Sequence, residues 1–258
     1  MKNQVIIKTR KSIRTFNNKK ISKEDKEKLV QYMQTIKNPY DIPIEFIILD
    51  QDKYNLSSPV IEGEDFYIAA KVPKTEYCEE AYGYSFEKLI LYAWSLGIGT
   101  TWIGGTFNRE LFEKAANTND DEYMMIATPV GYPSNTRTQV DKDLRNTIKG
   151  DTRLPVQELF YENNLQTPLE TKEEWMEAVR WAPSAANRQP WRIICNENKY
   201  HFYLEHTKGY TSTVEWDVQK IDMGIAICHF MTIHGGQLSH ENPGIQTSEN
   251  IEYIATIK

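Results

Sequence analysis

The sequence predicts an α+β chain made of two similar units, 1–130 and 165–258, joined by an arm, 131–164. Three observations predict it. Helical and strand-like patterns follow one another in the same order in both halves: helix, strand, strand, helix, strand. A helix-opening signature, a hydroxyl residue three positions before an acid, recurs at Ser22 with Asp25 and at Thr171 with Glu174. The triplet Ile126-Ala127-Thr128 near the end of the first half returns as Ile254-Ala255-Thr256 near the end of the second.

In the first half, Ser22 caps a helix through KEDKEKLVQYMQT, with Ile21 as its staple, and Asn38-Pro39 ends it. IEFIILD (44–50) and FYIAAKV (66–72) are short, β-branched runs and are predicted strands. The helix EEAYGYSFEKLILYAWSLGIG repeats Tyr82, Phe86, Leu89, Ile90, Ala93 and Leu96 at threes and fours, and Gly97 and Gly99 close it. EYMMIATPVGYP (122–133) is a further strand. In the second half, KEEWMEAVRWA is a helix ended by Pro183, and WRIIC (191–195) and YHFYLE (200–205) form a hairpin. The helix IDMGIAICHFMTIHGG (221–236) and the final strand EYIATIK complete it.

At 258 residues, with 40% hydrophobic, 26% charged and 12% aromatic residues, the chain can bury a sizeable core. A net charge of −6 argues against bulk nucleic-acid binding. No run is apolar enough for a membrane span, and Val5-Ile6-Ile7 is too short for a signal-peptide core. Cys78, Cys195 and Cys228 form no CxxC pair, so they are expected as buried thiols in a reduced, cytoplasmic setting. The histidine spacing offers no metal site.

Three segments could carry chemistry. In an extended Arg10-Lys11-Ser12-Ile13-Arg14, Arg10, Ser12 and Arg14 share one face, and two guanidinium forks with a hydroxyl suit a phosphate. The same pentapeptide also fits a solvated basic run. The second is Ala182-Pro183-Ser184-Ala185-Ala186-Asn187-Arg188-Gln189-Pro190-Trp191, where Ser184 and Asn187 can donate and accept along a heteroaromatic edge. A helix stop and turn explain its prolines equally well. In the third, Gly97 to Gly105, Gly104 and Gly105 let main-chain N–H groups meet a ligand. A structural turn is its other reading.

Together these segments resemble the flavin-dependent nitroreductase superfamily. RKSIRTF resembles its RxSxRxF opening, APSAANRQPW its PSxxNxQPW loop, and LGIGTTWIGGTF its glycine-rich segment, so the resemblance spans nearly the whole chain. There is one departure. The PSxxNxQPW loop stands in the second half, and IKNPYDIPIEF occupies its usual place in the first, an order similar to the subgroup in which two units are fused in one chain.

The resemblance implies a nitroreductase-like fold with an antiparallel-dominated sheet in each half, arranged as an intramolecular pseudo-dimer. It implies one FMN per chain. Arg10, Ser12 and Arg14 would hold its phosphate and ribityl end, and Pro183, Ser184 and Asn187 would line the isoalloxazine. Gly104 and Gly105 would offer N–H groups toward N5 and O4, and Arg153 would be a further phosphate cation, with Arg137 and Arg145 as competitors. The implied activity is ping-pong transfer of two electrons from NADH or NADPH to a small conjugated acceptor, a nitroaromatic or a quinone. No catalytic side chain is expected, because the flavin carries the hydride. Different flavin chemistry on the same fold, and a flavin-binding carrier or sensor without turnover, are the alternatives. The pocket for the acceptor is expected from segments 51–64 and 206–220. A monomer suffices for such a site.

Overall fold

The computed structural model describes residues 3–209 and 213–258. Its elements fall into two compact units: unit 1 comprises Thr9–Cys78 and Ser85–Ile148, and unit 2 comprises Glu79–Tyr84, Lys149–Lys258 and the N-terminal stretch 3–8. That stretch is most of a helix, α1 (Asn3–Thr9), whose buried residue is Ile7.

Unit 1 contains α2 (Lys23–Met33), β1 (Glu45–Leu49), α3 (Gln51–Tyr54), β2 (Phe66–Pro73), most of α4 (Cys78–Ser95), α5 (Arg109–Ala116), β3 (Glu122–Tyr123), β4 (Ala127–Val130) and α6 (Gln139–Thr147). Strand β2 lies between β1 and the β3/β4 edge and is antiparallel to both. Its two faces feed two cores. Tyr67 and Ala69 pack with Leu49, Phe112 and Met124, while Phe66 and Ile68 pack with Leu29, Leu89 and Val130. Helices thus cover both sides of the sheet, and this is why FYIAA (66–70) is continuously apolar rather than alternating.

Ser22 caps α2, its hydroxyl accepting from the Asp25 N–H at 3.0 Å, and Ile21 is buried in the core beside it. Asp25 does not close the box; its carboxylate accepts from the Tyr132 hydroxyl at 2.6 Å, and that hydroxyl takes the Ser22 N–H at 3.2 Å. The helix stops at Met33, before Asn38-Pro39, because Thr35 turns its hydroxyl onto the Tyr32 carbonyl at 2.8 Å. Helix α4 ends as predicted. Gly97 is left-handed (φ +76°), with Gly97 N–H on Trp94 O and Ile98 N–H on Ala93 O, both at 3.0 Å.

The predicted strand 122–133 is interrupted. Met124 to Ile126 leave the ladder with β2, one residue more than the two opposite them, which makes a bulge. The guanidinium of Arg109 takes the freed carbonyls of Met124 and Met125 at 2.7 and 3.1 Å.

Unit 2 contains β5 (Phe160–Glu162), α7 (Glu174–Arg180), β6 (Trp191–Asn196), β7 (Lys199–Glu205), α8 (Val218–Ile233), β8 (Leu238–Ser239) and β9 (Ile251–Ile257). The sheet order is β5-β6-β7-β9-β8, with only β5–β6 parallel. The hairpin β6–β7 turns through Glu197 and Asn198, both at positive φ (49° and 62°), the backbone a two-residue primed turn demands. The element order and pairing of α2-β1-β2-α4-β4 recur here as α7-β6-β7-α8-β9. Helix α8 is buried along most of its length, and Phe230 meets Trp175 and Phe202 edge-on.

Helix α7 begins at Glu174 with no side-chain cap, so Thr171 does not open it. The chain is still extended there, held to β5 by the Leu169 N–H on Phe160 O at 3.0 Å. Of the three free cysteines, Cys78 and Cys228 are buried, but Cys195, near the end of β6, is only half-buried. No helix among the described residues is long and apolar enough to cross a membrane.

Within unit 2, the first turns of α4 cross α8 at van der Waals limits. A Cβ on Gly83 would lie 2.1 Å from the Ile221 carbonyl oxygen, and one on Gly224 would lie 2.0 Å from that of Glu80. Each glycine stands three residues after the carbonyl that the other approaches, a reciprocal contact of the isologous kind.

Burial at this crossing raises the Glu80 carboxyl to about 7, because desolvation disfavours its charged form. Its folded value lies above the ordinary one, so the folded state holds the extra proton. Stability is full below the unfolded value and falls as pH rises through the folded one. Glu80→Gln is therefore expected to match the parent in acid and exceed it by about 3 kcal/mol above pH 7. Urea midpoints against pH measure the difference.

Candidate functional site

The pentapeptide Arg10 to Arg14 runs extended beside the chain after α4. Ser12 bridges Thr100 in parallel, and the Ile13 N–H donates to Thr100 O at 2.8 Å. A Cβ on Gly99 would meet that of Ile13 at 2.9 Å, so glycine permits this approach. Alternation does what the sequence requires: Arg10 and Arg14 are buried, Ser12 is half-buried, and Lys11 is exposed.

Two elements of unit 1 bring carboxylates to these arginines. Glu87 on α4, fully buried, places Oε1 4.0 Å from Arg10 Nε, and its Oε2 accepts the Trp102 indole N–H at 3.1 Å. Asp141 on α6 lies 3.5 Å from Arg14 Nη1, with the Thr15 hydroxyl at 3.5 Å from its other oxygen. Arg145, one turn further along α6, is also buried, and its charge depresses the pKa of both Arg10 and Arg14. Desolvation is the first cause of both depressions, with Glu87 and Asp141 opposing it.

The cluster therefore holds three buried arginines against two buried carboxylates. Arg10 Nε and Arg14 Nη1 are buried without a hydrogen-bond partner among the described residues. Leaving such donors unmet is costly, and a phosphate supplies both negative charge and acceptor oxygens for them. The residues fit the phosphate end of FMN.

Helix α6 lies inside the segment read from sequence as a connecting arm. Its signal was present: Thr138, whose hydroxyl accepts from the Asp141 N–H at 3.2 Å, opens a T-x-x-D cap, and Asp141 and Arg145 are four apart on one face. The cation grouped with Arg10 and Arg14 is Arg145. Arg137 reaches Asp141 at 3.9 Å but is over a third exposed. Arg153 belongs to unit 2, where its guanidinium donates to Asn187 Oδ1 at 3.3 Å and lies 4.8 Å over the Trp181 ring.

The second candidate segment is the loop Pro183 to Gln189, in unit 2. Ala186, Asn187 and Gln189 are all left-handed (φ 47°, 56° and 52°), an unfavourable conformation for residues other than glycine. The loop is held by its own polar groups. Ser184 Oγ accepts the Gln189 N–H at 2.8 Å, and the Gln189 side chain accepts the Leu154 N–H at 2.9 Å. Both Asn187 amide hydrogens are used, on Lys149 O and Thr152 O at 2.8 and 3.1 Å. Behind it, Asp222 of α8 accepts the Ala185 N–H with both oxygens, at 3.0 and 3.1 Å. Burial pushes the Asp222 carboxyl well above the usual carboxylate range. Sequence reasoning missed Asp222, although one acid inside the apolar run IDMGIAICHF is a signal that something must pair with it.

Gly104 and Gly105 lie in a bend of unit 1. The Gly104 carbonyl accepts from Arg109 at 2.7 Å, and neither N–H donates to another backbone group among the described residues. Gly105 is exposed, and a Cβ placed on it would meet nothing within 4 Å. Of the segments expected to shape an acceptor pocket, 51–64 carries α3, while part of 206–220, residues 210–212, lies outside the described residues.

Residues 4–233 match the family described as "Putative TM nitroreductase". The chain belongs to that family. The nitroreductase fold is also that of a putative nitroreductase from Thermotoga maritima, at 20% identity and a TM-score of 0.63, over 100% of this chain and 93% of that one. A nitroreductase family protein from Clostridium novyi aligns at 22% identity over 55% of this chain and 91% of its own, with a TM-score of 0.45. An FMN-dependent nitroreductase from Clostridium difficile aligns at 16% identity over 54% and 92%, with a TM-score of 0.44. No curated protein matches the sequence. Family membership places the chain among nitroreductase-type oxidoreductases.

Proposed function

We propose that this nitroreductase is an FMN-dependent NAD(P)H oxidoreductase with one flavin per chain, whose phosphate is held by Arg10, Ser12, Arg14 and Arg145. The observation that carries the reading is the surplus of buried positive charge in unit 1, with buried N–H groups left over. All buried arginines among the described residues lie in that unit, which supports a single phosphate site. The reciprocal contact of Gly83 and Gly224 and the recurring element order support descent from a duplicated unit, the pseudo-dimer of the sequence reading.

Pro183, Ser184 and Asn187 line the isoalloxazine in this reading, with Arg153 beside Asn187. What the two polar side chains can offer follows from their bonds. Ser184 Oγ accepts one bond and keeps its own O–H to donate. Asn187 has donated both amide hydrogens and accepted one bond from Arg153, so it keeps one carbonyl lone pair. One donor and one acceptor suit the alternating carbonyl and N3–H groups of the pyrimidine edge.

When bound, FMN would supply two-electron chemistry, from NADH or NADPH to a small conjugated acceptor such as a nitroaromatic or quinone, in ping-pong order. The chain's contribution is orientation and electrostatics. Gly104 and Gly105 would offer N–H groups to the flavin's N5 and O4 side, where such donors would stabilise the reduced form. A reduced, cytoplasmic setting accompanies this role.

Gly105→Ala separates ligand approach from folding. Open space surrounds the position, so the apo-protein's stability should change by less than about 0.5 kcal/mol. FMN affinity should nevertheless fall. Titration by flavin fluorescence beside an apo melting curve checks both halves.

The activity itself is tested anaerobically. Adding NADH or NADPH to the FMN-loaded protein should bleach the flavin, and a quinone should restore its colour with repeated turnover. A flavin that neither nicotinamide reduces would contradict the oxidoreductase reading and leave a carrier.

A further inference from the structure

The loop that carries Ser184 and Asn187 is strained and would relax without support. Three of the four residues Ala186 to Gln189 are left-handed and none is glycine. Ala186 and Gln189 cost on the order of 1–2 kcal/mol each and Asn187 less, so surrounding contacts must determine the conformation. Most of those contacts come from the loop itself or from the neighbouring segment 149–154. One comes from behind, from a different element: the Asp222 carboxylate of α8, 3% exposed, which takes the Ala185 N–H on both oxygens.

A buried carboxylate is a costly way to satisfy one backbone N–H. Helix α8 is otherwise apolar along this stretch, from Ile221 through Met223 to Ile227. Nothing in helix formation calls for an acid there. Its only described backbone bond is the one that fixes the first residue of the Ala185–Asn187 turn, immediately before the residues at positive φ. Asp222 shares its helix with Gly224, which packs on the Glu80 backbone. The anchor therefore stands on a part of α8 that cannot shift easily.

We propose that Asp222 is a positioning residue: through the Ala185 N–H it holds the Pro183 to Asn187 loop in the geometry that receives the flavin ring. The proposal rests on the FMN reading above. It predicts that what matters is an acceptor oxygen at this point rather than a charge. Asparagine supplies the oxygen; alanine does not.

The test is flavin affinity, measured by fluorescence on titrating apo-protein with FMN and, separately, with riboflavin, well below each variant's melting temperature. Asp222→Ala should weaken both ligands equally, by tenfold to about a hundredfold, the effect of losing one buried bond to an ionisable group. Asp222→Asn should stay within about threefold of the parent. Changes at the phosphate arginines, by contrast, should weaken FMN and leave riboflavin untouched. Ala185→Pro approaches from the donor side. It removes the N–H, while Ser184 before it (φ −145°, ψ 161°) already has the extended backbone that proline requires. It should weaken both flavins as well, and the double variant Asp222→Ala/Ala185→Pro should be no worse than the weaker single.

Unaltered flavin affinity in Asp222→Ala, or an Asp222→Asn as weak as the alanine variant, would overturn the proposal. Should the alanine variant fail to fold, Ala185→Pro and Asp222→Asn decide the question by the same criteria. Failure of the unaltered protein to bind any flavin would instead remove the reading on which the anchor rests.

Discussion

Gly224→Ala is expected to destabilise the protein by about 3 kcal/mol or more, and Gly83→Ala by a similar amount. Both glycines lie inside helices, where alanine ordinarily gains about 1 kcal/mol over glycine, so the expected sign is opposite to intrinsic propensity. The reason is the crossing of α4 and α8. The new methyl group would lie about 2 Å from a main-chain carbonyl oxygen, and a main-chain atom cannot rotate out of the way as a side-chain end can. The helices must separate, which opens the core on both sides. Thermal and urea unfolding measure the loss, and a change near zero would mean that the helices do not approach as described. Because the two contacts are reciprocal, the double variant should cost less than the sum of the singles.

Arg14→Ala is expected to weaken FMN binding by about a hundredfold, and Asn187→Ala by about tenfold, although the two residues belong to different units. Arg14 supplies a buried guanidinium whose Nη1 has no hydrogen-bond partner among the described residues, so a phosphate gains both charge and bond there. Its removal also takes from the buried Asp141 the guanidinium that lies 3.5 Å away. Arg14→Lys should recover part of the affinity, since it returns the charge without the fork. Asn187 contributes less directly: it spends three bonds on the segment around Arg153 and keeps one acceptor. Calorimetric titration of each apo-variant with FMN gives both numbers. Unchanged affinity in either would remove that residue from the site.

Much of this was legible in the sequence, for physical reasons that differ by element. The strongest periodicities became elements: the Tyr82 to Leu96 pattern is α4, and the adjacent Gly97 closes it through a left-handed turn. The hairpin of β6 and β7 followed from two β-branched and aromatic runs around Asn196 to Asn198. Capping chemistry was half right. Ser22 caps α2, whereas Thr171 cannot cap a helix while the chain is still pinned to β5 at Leu169.

Site residues divide in the same way. Arg10, Ser12 and Arg14 could be placed on one face because alternation is local, and Ser184 and Asn187 because their loop lies between two readable elements. Glu87, Asp141 and Asp222 were not placed, since each matters through a partner distant in sequence. Arg145 and Arg153 were both candidates for the same task. What separates them is grouping in space: one is buried with Arg10 and Arg14, the other lies against Asn187 and Trp181. No local pattern carries that information.

The chain is proposed to hold a single flavin, with its phosphate on the unit 1 arginines. The most direct test is to saturate the purified protein with FMN, remove the excess, release the cofactor by heat and count it against chain concentration. Close to one FMN per chain is expected. Two per chain, or none after reconstitution with excess FMN, would contradict it.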